Sequence, residues 1–173
     1  MKSLYHTFIH PHINYCILLW GFNSEKIKRL QKQAIRAVTR SHFLAHSSNL
    51  FHQLNILKFD DIFELKQIIF NHNFLHGSLP LSLSNILARQ DGIIRRCQQF
   101  YDLKPPRKAN TESAKTCIRY SIPIIINSFD KEFIDSLANV SILTLKRNYK
   151  KKMNSYHVSN SPILNCYVCS LND

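Results

Sequence analysis

Between Ser24 and Arg40 the chain admits one reading. Placed at about 100° per residue, Ile27, Leu30, Ala34, Ile35, Ala37 and Val38 fall on one side of a helix, and Lys26, Lys28, Arg29, Lys32, Arg36 and Arg40 on the opposite arc. Ser24 supplies an N-cap hydroxyl, and Glu25 a carboxylate at the positive end of the helix dipole. Such a segment buries one face and leaves a row of cations in water, so the rest of the chain must lay an apolar layer against it.

Composition says what that layer is made of. The 173 residues are 45% hydrophobic but hold only 3 Gly and 6 Pro, which excludes collagen-like and linker sequences and most turn-rich β architectures. The expected fold is therefore mainly α: a small helical bundle followed by a basic, partly extended C-terminal segment with a terminal helix.

In residues 3–20 Leu4, Phe8, Ile9, Ile13, Ile17 and Leu18 are apolar, Pro11 kinks or restarts a helix, and Gly21 closes the segment as a C-cap. Ser47 or Ser48 caps a short helix to Leu54, and Asn55 to Lys58 form a break. Asp60 or Asp61 opens a helix that reaches His76 before Gly77 and Pro80. Its Ile62, Phe63, Leu65, Ile68, Ile69, Phe70, Phe74 and Leu75 occupy nearly the whole circumference, as a central helix requires.

The domain plan that follows is a bundle over 1–80, a basic connection over 81–116 with Pro105-Pro106, and an extension over 117–155. In the extension, the β-branched run Cys117 to Asn127 is read as extended, with helices near 130–138 and 141–155. Residues 156–173 are expected to form a disordered tail.

Charge points to partners. Lys and Arg total 23 against 11 Asp and Glu, a formal +12, with 9 basic and 4 acidic residues up to residue 88 and 14 and 7 beyond it. An excess spread along a folded chain suits a polyanion, most often nucleic acid. No run of about 18 apolar residues exists to span a membrane, and the N-terminal segment carries His, Pro and Asn where a secretory signal needs an apolar core.

Three motifs suggest chemistry. Lys58-Phe59-Asp60-Asp61 has the paired carboxylates of a two-metal phosphoryl-transfer site, but a Lys stands where the aromatic should be and the pair opens a helix, so capping accounts for both. His6, His10 and His12 lack a neighbouring acidic ligand, and Pro11 interrupts their spacing. Cys166 and Cys169 are half of a zinc site with only His157 near. Cys16, Cys97 and Cys117 are read as buried reduced thiols. No catalytic residue, metal or cofactor is expected.

The run Leu4-Tyr5-His6-Thr7-Phe8-Ile9-His10-Pro11-His12-Ile13-Asn14-Tyr15-Cys16, closing on Trp20-Gly21, resembles the segment just beyond the catalytic palm in reverse transcriptases of Jockey-like non-LTR retrotransposons. Leu30-Gln31-Lys32-Gln33-Ala34-Ile35-Arg36, Ala45-His46 to Leu50-Phe51, and Leu54-Asn55-Ile56-Leu57 resemble its next blocks. Pro106-Arg107, Lys115, Ile118-Arg119-Tyr120, Pro123, Asn127 and the Ser141 to Tyr149 stretch resemble its closing part. The pattern departs at Ile122, Ile126 and Ser128-Phe129, where the family carries Gly, Trp and Leu-Pro.

The resemblance implies a thumb plus a C-terminal extension, without the fingers, the palm or the catalytic Asp residues of polymerisation. A thumb of this type is a helical bundle that grips a template–primer duplex. The expected function is a non-catalytic remnant of an RNA-directed DNA polymerase that binds RNA–DNA or DNA duplex through phosphates, and that could also meet the palm and fingers of the parent polymerase. The contacts would come from Lys26, Lys28, Arg29, Lys32, Arg36, Arg40, Arg107, Lys108, Lys146, Arg147, Lys150 and Lys151. The alternatives are a protein-interaction module with a basic docking face, and a decayed product without function that leaves Leu18, Leu19 and Trp20 exposed as an apolar patch.

Overall fold

The computed structural model describes residues 2–22, 24–84, 111, 115, 117–128 and 140–159. In chain order its elements are α1 (Lys2–Leu4), a π-helical stretch (Tyr5–Ile9), α2 (His10–Asn14), α3 (Ile17–Trp20), α4 (Glu25–Thr39), α5 (Ser47–Gln53), α6 (Phe59–Leu75), α7 (Leu81–Ser84), α8 (Ile118–Ser128) and α9 (Ile142–Ser159). The protein is mainly α, a small helical bundle, with no strand among the described residues.

Two compact units divide the chain: Met1–Phe63 with Lys146–Asp173, and Glu64–Leu145. The boundary falls inside α6 and not at residue 80, and the C-terminal helix from Lys146 onward belongs with the N-terminal segment. The reason lies in contacts that local periodicity does not register. Asn154 Nδ2 donates to Asn55 Oδ1 at 2.7 Å, and His157 Nε2 donates to Asp61 Oδ2 at 2.8 Å.

In the first unit the core gathers Tyr5, Ile13, Ile17, Ile35, Leu50, Phe51, Ile56, Phe59 and Ile62. Pro11 stands in the first turn of α2, where its missing N–H costs nothing, so it starts a helix. Gly21 follows α3 with φ −63°, so its need for glycine is one of space: a Cβ there would run into the Phe63 ring and the Ile17 carbonyl. α4 packs against α5 and the π-helical stretch.

Several local expectations change. Ser24 precedes α4, but its hydroxyl makes no cap bond and is buried without a partner. The residue before α5 is His46. α6 opens at Phe59, and Asp61 Oδ2 reaches back to accept the Lys58 N–H at 3.2 Å, a capping arrangement that satisfies an orphan donor. α6 ends where Gly77, at φ +64°, takes the left-handed conformation and the Ser78 N–H bonds back to the Asn73 carbonyl at 2.9 Å.

In the second unit Ile68, Phe70 and Ile122 are buried, and Gln67 Nε2 donates to Ser121 Oγ at 3.2 Å. The extended run expected over Cys117 to Asn127 is instead the helix α8, with Pro123 inside it. Ile118, Ile122 and Ile125 recur at helical spacing, and burying Ser121, Ile122 and Pro123 outweighs the β-preference of the branched residues. α9 continues to Ser159, past the expected start of a disordered tail. The helix expected near 130–138, most of the 81–116 connection and residues 160–173 lie outside the described residues.

Candidate nucleic-acid interface

α4 spans 15 residues, about 22 Å of helix. Its buried positions are Gln31 and Ile35. Gln31 is held because its amide meets partners: Nε2 donates to Tyr5 Oη at 2.7 Å and to the Leu57 carbonyl at 3.1 Å. These bonds tie two distant segments to one side chain of α4 and satisfy a buried polar group that would otherwise cost about 1–3 kcal/mol. They also rotate the buried face of α4 away from the centre of its apolar arc.

That rotation revises the list of free cations. Lys28 sits at the margin of the buried face, where Nζ reaches Glu25 Oε1 at 3.1 Å and Asp60 Oδ1 at 2.8 Å. The hydrogen bond to Asp60 is the main reason its ammonium is held above the ordinary lysine range. Arg36 is also committed: its Nε donates to the Ala45 carbonyl at 2.9 Å and anchors the loop after the helix. Neither is the freely projecting phosphate ligand that the helical wheel alone suggests.

Lys26, Arg29, Lys32 and Arg40 remain exposed, and no carboxylate of the described residues pairs with them. Arg40 caps α4 in the left-handed conformation at φ 56°, its N–H bonded back to Ala37 and that of Ser41 to Arg36.

α9 carries the second basic set. Lys146, Arg147 and Lys151 are exposed, and Lys150 is half-buried. Burial, then the charge of Lys2, holds the Lys150 ammonium below its ordinary range. Burial, then Lys2 and Lys150, does the same to the His6 imidazole. Three cationic or protonatable groups from opposite ends of the chain are thus held within electrostatic reach of one another. Lys2 and His6 are additions that the sequence offers no local signal to find. Arg107 and Lys108 lie outside the described residues.

The motifs with catalytic overtones resolve into structure. Asp60 holds Lys28, and Asp61 serves the Lys58 N–H and His157. His157 donates through Nε2 to Asp61 while its Nδ1 faces the Lys58 ammonium at 3.4 Å. The His6 and His10 rings meet edge to face, centroids 5.1 Å apart. Among the described residues no three His, Cys, Asp or Glu side chains converge as a metal site, and no helix is long and apolar enough to cross a membrane. Cys16 and Cys117 are exposed, contrary to the buried-thiol expectation, since Cys16 occupies a left-handed turn between α2 and α3 and Cys117 sits just before α8. Cys97, Cys166 and Cys169 lie outside the described residues.

No protein family, curated protein or solved structure matches the chain.

Proposed function

We propose that this protein binds nucleic-acid duplex through backbone phosphates and has no polymerising chemistry of its own, as a remnant of the post-palm part of a non-LTR retrotransposon reverse transcriptase. The ancestry rests on the resemblance of residues 4–21 and the blocks that follow. The binding role rests on one observation: along α4 and its C-cap, Lys26, Arg29, Lys32 and Arg40 stand exposed and without a carboxylate partner among the described residues.

Cations arrayed in this way release condensed counterions when they meet phosphates, which gives salt-sensitive and largely sequence-independent affinity. The Lys2, His6 and Lys150 group extends the same logic, because an approaching phosphate favours the charged forms that burial, and then mutual repulsion, disfavour.

Titration of the purified chain with a labelled RNA–DNA hybrid at two salt concentrations tests the reading. Saturable binding is expected, with a logarithmic salt slope that falls by about 0.7–0.9 for each of Arg29→Gln and Lys32→Gln. No saturable binding at low salt would overturn it. Primer extension by the isolated chain is expected to give no incorporation.

A further inference from the structure

The rotation of α4 that buries Gln31 leaves part of its apolar arc uncovered. Ile27, Leu30 and Ala34 line an open groove of about 480 Å³ together with Phe8, Ile9, His12 and Trp20. Its rims are apolar and in water: Phe8 is 64% exposed and Leu30 57%. Positions 27, 30 and 34 follow one side of the helix over two turns, about 10 Å, the footprint of two turns of a second helix.

Chemistry narrows the occupant. The groove is lined by apolar side chains apart from His12 and Gln31, and the Gln31 amide nitrogen is already committed to Tyr5 and Leu57. A nucleobase placed there would find the His12 imidazole but leave most of its polar edge unsatisfied, whereas aliphatic side chains carry no such cost. The surrounding charge has one sign. Residues 2–24 contain no Asp or Glu, Lys26 lies one turn before Leu30 on the same side, and Arg29 adjoins it. The single carboxylate of α4, Glu25, is engaged by Lys28.

From this pairing of an apolar floor with a cationic border, we infer that the groove between the N-terminal helices and α4 docks the apolar face of an amphipathic helix with acidic flanks, supplied by a protein partner. The inference rests on the uncovered apolar side of α4 and needs no phosphate, although it shares Lys26 and Arg29 with the proposed duplex contacts.

The probe is a fluorescein-labelled, end-capped peptide helix with Leu at i, i+3 and i+7 and Glu at the flanking positions. The control is the same peptide with Lys for Glu. Anisotropy titration of the full chain should show saturable binding of the Glu peptide, with the Lys peptide about tenfold weaker or worse. Leu30→Gln, a polar change at an exposed site, and Ala34→Phe, which fills the groove, should each abolish binding while leaving the thermal melt and the RNA–DNA affinity of the parent chain unchanged. Equal affinity for the two peptides, binding of neither, or full binding by Leu30→Gln would overturn the inference. So would a concentration-dependent dimer in sedimentation that Leu30→Gln dissolves, since the occupant would then be a second copy of this chain.

Discussion

Lys28 Nζ lies 2.8 Å from Asp60 Oδ1, so a carboxylate from the first turn of α6 neutralises a cation that α4 would otherwise offer to solvent. Asp60 is well exposed and Lys28 only partly buried, so the pair adds little to stability, on the order of 0–1 kcal/mol. Its effect is on the charge available to a ligand. Asp60→Asn should leave the urea midpoint nearly unchanged and tighten duplex binding. Glu25 still holds Lys28 at 3.1 Å, so the salt slope should steepen by about 0.7–0.9 only when Glu25→Gln is added and Lys28 becomes free to meet a phosphate. An unchanged slope for the double variant would place Lys28 outside the interface.

Arg40 allows stability and binding to be separated. Its left-handed φ of 56° is a strained conformation for a side-chain-bearing residue and an ordinary one for glycine. Arg40→Gly should raise stability by about 1 kcal/mol or less, the relief of strain being partly offset by a more flexible unfolded chain. The same change should weaken duplex binding. Denaturant melts and anisotropy on one protein sample check both signs.

The bond from His157 Nε2 to Asp61 Oδ2, at 2.8 Å, ties the last turns of α9 to the start of α6. Asp61 is buried and also accepts the Lys58 N–H, so losing the imidazole leaves a carboxylate only half satisfied. His157→Ala should cost about 1–3 kcal/mol in urea unfolding. Asp61→Asn should cost less when combined with His157→Ala than when made alone, a coupling that a double-mutant cycle measures directly.

Acid sensitivity should arise near His6. Burial first, and then Lys2 and Lys150, hold its imidazole below the ordinary 6.5, so the fold favours the neutral ring. That contribution to stability is fully present above 6.5 and is lost as pH falls through the depressed value. His6→Gln should flatten this part of the stability profile, and Lys2→Gln should shift it to a higher pH. Duplex binding should run the other way, strengthening on acidification, because a phosphate favours the imidazolium. Chemical-denaturation curves and titrations across this range, with and without duplex, check the two opposite signs.

Gly21 is required for its lack of a side chain. A Cβ would meet the Phe63 ring and the Ile17 carbonyl, and the carbonyl is fixed by the bond it accepts from the Gly21 N–H at 2.7 Å. Gly21→Ala should therefore destabilise by about 1–3 kcal/mol through overpacking, seen as a lower Tm. A neutral result would mean that the Phe63 ring swings aside.

The local chemistry of this protein was legible along the chain wherever one short window held all the interacting parts. α4 followed from the spacing of its apolar and basic residues, the end of α6 from Gly77, and the capping role of Asp61 from its place ahead of an apolar run, whereas Asp60, expected to cap as well, pairs with Lys28. These readings hold because helix periodicity, caps and dipoles act over one to four residues.

The rotation of α4 about its own axis belongs to the tertiary structure. Gln31 enters the core, and Leu30 leaves it, because Tyr5 and Leu57 bring an acceptor each to the same amide. No property of the 24–40 window contains that information. The turn withdraws Lys28 and Arg36 from the cationic row, opens the groove beside Leu30, and leaves Lys26, Arg29, Lys32 and Arg40 in water. The helix at Ile118–Ser128 has a similar origin, since β-branched residues took the conformation that buried Ile122. Sequence determined which residues could be helical and which were charged; packing decided which way each helix faced, because burial energy and hydrogen-bond satisfaction are summed over partners far apart in the chain.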